Sequence, residues 1–201
     1  MAVTNLTADA DVFTSNAFLV TGAETTLVDP GADPAIVDAL RARVDTLDRI
    51  VVTHQDSDHV DQLGAVVEAF DPAVYTAAEH PHRTHTLASG DELLVGDETV
   101  RVVETPGHAD DHVSLVGSDA LYSGDVVVYA DGAFDDGSFG RTDRPYQSRE
   151  RLIESIERLI DVTPASVAAL YPGHGPSYEG DVRAVLDRAL ERAERREPKY
   201  D

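Results

Sequence analysis

Two imidazoles and three carboxylates fall within the eight residues His54 to Asp61, in the stretch Thr53-His-Gln-Asp-Ser-Asp-His-Val-Asp61, directly after the apolar run Ile50-Val-Val52. Side chains of this kind are not gathered for packing. Their shared chemistry is metal ligation, with imidazole suited to zinc, iron and manganese and carboxylates able to bridge two ions. The chain contains no cysteine, so a metal must sit on His, Asp, Glu or backbone oxygen, and disulfides, thiolate sites and cysteine nucleophiles are excluded. Three further candidates stand in glycine-containing turns: Pro106-Gly-His108, Ser123-Gly-Asp125 and Pro172-Gly-His174-Gly. Glycine there lets the backbone turn sharply and approach closely. Taken singly each is ordinary. Pro-Gly-His reads as a turn with a surface histidine, Ser-Gly-Asp as a plain turn, and Asp56 or Ser57 as a cap for a helix starting near Asp58. Asp61 and Gln62 read as solvated helix face. Together, and each placed where an apolar run ends, they read as a preorganised metal site.

The elements that must position them follow from periodicity. Residues 14–20 and 24–28 read as a hairpin ending in Asp29-Pro30-Gly31. Asp33-Pro34 starts a helix, cap then first-turn proline, whose apolar positions are Ile36, Val37, Leu40, Val44 and Leu47. Arg49–Thr53 is a buried strand that delivers His54. A second helix opens inside the motif and carries Val60, Leu63, Val66, Val67 and Phe70. Strands follow at 73–76, 93–95, 100–104, 112–116 and 120–122, then a long irregular loop over 126–147. A loop of that length in a compact fold is usually functional or mobile. Ser148 caps a helix with Leu152, Ile153, Ile156, Leu159 and Ile160, stopped before Pro164. Residues 167–170 form a strand running to His174, and 181–196 a last helix with arginines near its negative pole. Two sheets packed face to face with helices outside, as one domain over 1–201, fit this α+β pattern.

Charge restricts partners. Asp plus Glu number 38 against 16 Lys plus Arg, a net charge of −22, and the single lysine is Lys199. Such a field repels nucleic acid and anionic membranes. No run approaches the ~20 apolar residues of a membrane helix, and no signal segment opens the chain, so the expected location is the cytoplasm. Aspartate outnumbers glutamate 25 to 13, which with the net charge suggests a salt-adapted surface. The expected partner is a small-molecule substrate, and the oligomeric state is left open.

The candidates now carry a resemblance. His54-Gln-Asp56-Ser-Asp58-His59, then His108, Asp125 and His174, resembles the HxHxDH, His, Asp, His signature of the metallo-β-lactamase-fold superfamily of metal-dependent hydrolases. Asp29, in Leu-Val-Asp-Pro-Gly, also stands where that family often has an aspartate. The resemblance implies a four-layer αββα sandwich with the site at one edge, between the sheets. It implies two divalent metal ions, zinc first, with iron or manganese as alternatives. One ion would take His54, Asp56 and His108, the other Asp58, His59 and His174, and Asp125 would bridge them. Asp58 would hold a water or hydroxide and receive its proton.

Asp56 departs from the pattern, which has a third histidine there. Two divalent ions bring four positive charges; Asp58, Asp125 and a bridging hydroxide bring three negative, and Asp56 makes the inner shell neutral. A less positive site forms its hydroxide at a pH above the ~7 typical of catalytic zinc, and a hard oxygen ligand favours iron or manganese. Related diiron enzymes of the superfamily carry a glutamate at this place.

The order Gly-Asp125, Gly-Arg141-Thr-Asp143 and Pro-Gly-His174-Gly resembles the glyoxalase II-like branch, which hydrolyses thioesters. The chain ends 27 residues after His174, so a glutathione-binding helical domain, and with it glutathione, is not expected. Arg141 fits a substrate carboxylate and equally an ion pair with Asp143, Asp135 or Asp136. Tyr129, Phe134, Phe139 and Tyr146 are candidates for a pocket wall or for pinning the loop, with Tyr129 taken with Arg141 as a substrate residue. His112 either supports the metal ligands or is a satisfied core histidine, and His80, His82 and His85 read as surface or pocket rim. The leading function is metal-hydroxide hydrolysis of a small ester, thioester or lactone. The alternatives are a persulfide dioxygenase-like mononuclear iron enzyme using His54, His108 and Asp125, and a non-catalytic metal-binding domain.

Overall fold

The structure, a computed structural model, describes residues 1–197; Lys199 lies outside them. In chain order the elements are β1 (Ala2–Asn5), β2 (Phe18–Thr21), β3 (Thr26–Val28), α1 (Ile36–Arg41), β4 (Arg49–Val51), α2 (Ser57–Val60), α3 (Leu63–Phe70), β5 (Ala73–Thr76), β6 (His85–Thr86), β7 (Glu92–Val95) and β8 (Glu98–Glu104). They continue with β9 (Val113–Val116), β10 (Ala120–Gly124), β11 (Val127–Val128), β12 (Ser138–Phe139), α4 (Arg149–Val162), β13 (Ala169–Pro172), β14 (Tyr178–Glu179) and α5 (Val182–Glu194).

Two mixed six-stranded sheets form, ordered β1-β2-β3-β4-β5-β6 and β14-β13-β10-β9-β8-β7. Alternation along the strands explains the layers, since neighbouring side chains point to opposite faces. Phe18, Val20, Val28 and Val51 meet Val100, Val102, Val113, Leu115 and Tyr122 between the sheets. The intervening Leu19, Leu27, Ile50 and Val52 face outward onto Ile36 and Leu40 of α1 and Leu63 and Val66 of α3. On the other side Val103, Val116, Leu121 and Leu170 face Leu152 and Ile156 of α4 and Val185 and Leu186 of α5. Strands apolar on both faces between two helical layers make the expected αββα sandwich.

Strand direction brings the candidate residues together. β3, β4 and β5 pair in parallel, so their C-terminal ends share one edge. β10 and β13 are parallel. β8 and β10 are each antiparallel to β9, so they too run the same way. Asp29, His54, His108, Asp125 and His174 all follow such ends.

Local departures from the sequence expectations have tertiary causes. Residues 14–17 are irregular because their backbone bonds across the site rather than along a ladder: Ser15 N–H donates to the Asp58 carbonyl and Asn16 N–H to that of Gly173. α1 stops at Arg41 and does not reach Leu47. Asp48 is drawn onto Thr25, donating its N–H to the Thr25 carbonyl and accepting the Thr25 N–H on its carboxylate. The expected single helix around Val60 to Phe70 is two, α2 and α3. The break falls where Gln62 N–H donates to Gly31 and Gly31 N–H to the His59 carbonyl. The loop 126–147 holds the small β11–β12 ladder, β6 and β14 are two-residue edge strands too short to show a period, and β1 is an edge strand never more than half-buried. Ser148 caps α4 as expected, accepting from Arg151 N–H.

Candidate metal centre

The structure brings all seven predicted ligand candidates into one cluster. Nitrogen or oxygen atoms of His54, Asp56 and His108 lie within 4.8 Å of one another, as do those of Asp58, His59 and His174, and those of His54, His59 and Asp125. The His59 and His174 rings, far apart in sequence, have centroids 5.4 Å apart. Asp125 stands between the groups, with carboxylate oxygens 3.4 Å from His59 Nε2 and 3.5 Å from the Nε2 atoms of His108 and His174. Asp58 Oδ2 is 3.0 Å from His174 Nε2, and Asp56 Oδ2 is 3.3 Å from His108 Nε2. Asp56 does occupy the N-cap of α2, yet its side chain makes no capping bond. Its carboxylate is turned to the cluster instead.

Each buried imidazole is held by its other nitrogen. Asp29 is buried, with φ 55°, a conformation uncommon outside glycine. Its Oδ1 accepts the Thr53 N–H at 2.8 Å, and its Oδ2 accepts from the Thr53 hydroxyl at 2.7 Å and His59 Nδ1 at 2.8 Å. His108 Nδ1 donates to the Arg141 carbonyl at 3.1 Å. His54 Nδ1 is 3.2 Å from the Thr53 hydroxyl. The Nε2 atoms of His54, His59 and His108 and Oδ1 of Asp125 are buried without a hydrogen-bond partner. Buried polar atoms are nearly always satisfied. Four such atoms gathered in one cluster, the imidazoles each backed by an orienting bond, fit metal ions as the missing partners.

His112 belongs to the support. Its Nε2 accepts the Asp125 N–H at 2.9 Å, and its Nδ1 donates to Thr105 Oγ1 at 2.8 Å. Two glycines make the approach possible. Gly124 has φ 53°, and a Cβ there would stand 2.4 Å from His112 Nε2. A Cβ on Gly173 would stand 2.1 Å from Asp125 Oδ1.

The carboxylates are set for cation binding, whereas His59 and His108 are drawn toward the protonated form, whose proton a bound ion would displace. Burial, then the charge of His59, holds His54 neutral, well below the usual histidine range. Burial and then the His108 charge press His112 down to about 3. Asp125 is penalised by burial, but His59 and His174 outweigh it and hold the carboxyl well below its ordinary value. Burial opposes charge on Asp58 as well, and the contact with His174 overcomes it and lowers its pKa. For His59, burial works downward and Asp29, then Asp125, more than reverse it.

A cavity of about 460 Å³ opens over Asp56, Asp58, His108, Asp125 and His174. Arg141 lines it, but its guanidinium pairs with both carboxylate oxygens of Asp143 at 2.7 Å. Tyr129 stacks on Tyr178, ring centroids 4.3 Å apart, and pins the loop; the wall beside it is Val128 and Asp131. Phe134 packs against Phe139 and under Arg192. Tyr146 alone of the four loop aromatics reaches the cleft, in an adjoining cavity of about 520 Å³. His80, His82 and His85 stand outside the clustered groups, His85 stacked on Tyr75.

Sequence reasoning missed three residues at this site. Phe13 stacks on His174, with ring centroids 5.4 Å apart and planes at 15°. Asn16 Nδ2 donates to the carbonyls of Pro172 and Gly175, both at 2.8 Å, and ties down the turn that carries His174. Arg144 stands 3.5 Å from Asp56 and donates to the Tyr146 hydroxyl at 2.7 Å. The one signal was the apolar pair Val12-Phe13 between Asp11 and the polar Thr14-Ser-Asn16.

A family model described as the metallo-beta-lactamase superfamily matches residues 10–174. A hydroxyacylglutathione hydrolase of Hydrogenovibrio crunogenus is 30% identical over 178 residues, covering 82% of this chain and 62% of its own length. The chain spans between 42% and 62% of the matched hydroxyacylglutathione hydrolases. Among solved structures, TTHA1623 in a di-iron-bound form superposes with a TM-score of 0.70 at 26% identity, covering 94% of this chain and 98% of that one. ETHE1 from Myxococcus xanthus gives 0.73 at 22% identity, covering 99% and 92%, a likeness of fold.

Proposed function

The chain belongs to the metallo-beta-lactamase superfamily, and from that premise we propose that it is a metal-dependent, glyoxalase II-like hydrolase of a small ester, thioester or lactone. The observation that carries the reading is the pair of facing triads, His54/Asp56/His108 and Asp58/His59/His174, joined by Asp125 and ending in unpartnered buried atoms. The first triad would hold one divalent ion and the second another, with Asp125 between. When bound, such ions supply electrophiles for a carbonyl oxygen and acidify a water at near-neutral pH.

The chain's own groups do the rest. Asp58, ionised at neutral pH, accepts the proton of the attacking water and hands it toward the leaving group. Asp29 and the Arg141 carbonyl keep the His59 and His108 rings in the tautomer that presents Nε2. Asp56 adds a negative charge that a histidine would not, which favours iron or manganese beside zinc. The similarity to TTHA1623, known with two irons bound, supports that choice.

The test is apo-protein reloaded with zinc, ferrous iron or manganese and offered thioesters, esters and lactones while acid release and oxygen uptake are followed. The reading expects acid from at least one acyl class with no oxygen consumed. Inertness of the fully loaded protein, or oxygen uptake with a persulfide, contradicts it.

A further inference from the structure

The site's acyl preference is written in its rim. Four large hydrophobic residues are exposed in the described structure: Met1, Val12 at 46%, Phe13 at 79% and Tyr146 at 54%. Phe13 and Tyr146 line the cleft, and Val12 adjoins Phe13. A protein of net charge −22 has ample polar surface, and exposed apolar groups gathered at one opening mark a binding region. Phe13 is not a loose end. Thr14 Oγ1 accepts the Ala32 N–H at 2.7 Å, Ser15 N–H donates to Asp58, and Asn16 holds three carbonyls around His174. One face of the Phe13 ring lies on His174 and the other is open. Phe13 and Arg144 border both cavities, so they stand where the cavity over the ligands meets its neighbour. The two spaces differ. The cavity over the ligands adds Val128 and Gly140 to the Phe13 wall that both share, while the neighbour adds Gln55, Ser57 and Asp61, with Tyr146 and Ala32 beside them.

Resting on the hydrolase reading above, we propose that Phe13 is the acyl-specificity residue: its open face and Val128 receive an apolar acyl group, and the polar cavity past Arg144 takes the hydrophilic leaving group. The substrate class is a thioester or ester of an aliphatic or aromatic acid on a polar thiol or alcohol. Aromatic rings suit this role, combining large contact area with little conformational freedom to lose.

Two arms test it. In the first, metal-loaded wild type and variants hydrolyse one leaving group carrying acetyl, butyryl, hexanoyl or octanoyl chains. Wild-type kcat/KM should rise by roughly threefold per methylene. The rise should vanish in Phe13→Ala and persist in Phe13→Leu, which keeps the apolar surface but cannot stack. In the second, acetate, butyrate and octanoate are titrated calorimetrically into the same proteins, with bound metal measured alongside. Octanoate should bind more tightly than acetate to wild type and Phe13→Leu, and equally to Phe13→Ala. The same chain-length dependence in wild type and Phe13→Ala overturns the proposal. So does a Phe13→Leu that behaves like Phe13→Ala with reduced metal, since Phe13 would then only brace His174. If wild type hydrolyses no acyl compound, the hydrolase reading fails, and the titration still decides the binding preference.

Discussion

The floor of the cleft and its rim are built on opposite principles. In the floor, buried His54, His59, His108 and Asp125 are each held by a bond to Thr53, Asp29, Arg141 or His112, three of them just past strand ends and His59 in the short helix α2. In the rim, Phe13, Arg144 and Tyr146 come from irregular segments and are largely exposed. The floor has little freedom to change without losing the fold, because its glycines admit no Cβ and the Asp29 carboxylate that orients His59 also satisfies the Thr53 N–H. The rim can change side chains at little structural cost. On the function proposed above, the scaffold would fix the chemistry and two loops would be left to choose the substrate.

The largest expected break of that contrast is at Asp29, which touches no substrate-lined surface. Asp29→Asn leaves the His59 and Thr53 donors imperfectly matched in a buried place. It should lower stability by about 3 kcal/mol and metal affinity by about 10–100-fold. Thermal melts and competitive metal titration read both; wild-type values would show that the floor does not depend on its supports. Asp56→His sharpens the comparison from inside the floor. It should move metal content toward zinc and shift the rising, acidic limb of the pH–rate profile to lower pH, since the site regains positive charge and its water deprotonates more readily. Identical metal content and profiles would remove the role given to Asp56.

The smallest effect belongs to the rim pair Arg141–Asp143. Arg141 holds the Asp143 carboxyl down to about 2. A depressed carboxylate pKa stabilises the fold above the unfolded value near 4, and that contribution is lost as pH falls from there toward 2. For so exposed a pair it should stay under about 1 kcal/mol. Asp143→Asn should match wild-type stability only below about pH 2 and fall slightly below it at neutral pH. A loss as large as that for Asp29→Asn would mean the rim is not the tolerant region described.

The sequence made the floor legible and the rim largely illegible, for a physical reason. Metal ligands must be His, Asp or Glu, and they must stand where strands stop, so residue type and position announce them. The two-faced strands that sort Leu19 from Val20 and Leu121 from Tyr122 likewise announce the sandwich. Phe13 and Arg144 obey no period, and their importance comes from what folds beside them. The same applies to the break between α2 and α3 at Gln62 and the early end of α1. Both are set by hydrogen bonds to partners distant in sequence, at Gly31 and Thr25, which no local pattern records. Asp29 lies between these cases. Its residue type fits the site, but its task of orienting His59 emerged only from the contact.

All of this depends on the convergent nitrogens and oxygens being the two halves of one dinuclear centre. The most direct measurement is anomalous diffraction at the transition-metal edges on crystals of chelator-free protein. The account predicts two peaks in the cleft, one among His54, Asp56 and His108 and one among Asp58, His59 and His174, with Asp125 reaching both. A cleft without anomalous signal after metal loading, or ions bound elsewhere while these side chains stay free, would contradict it.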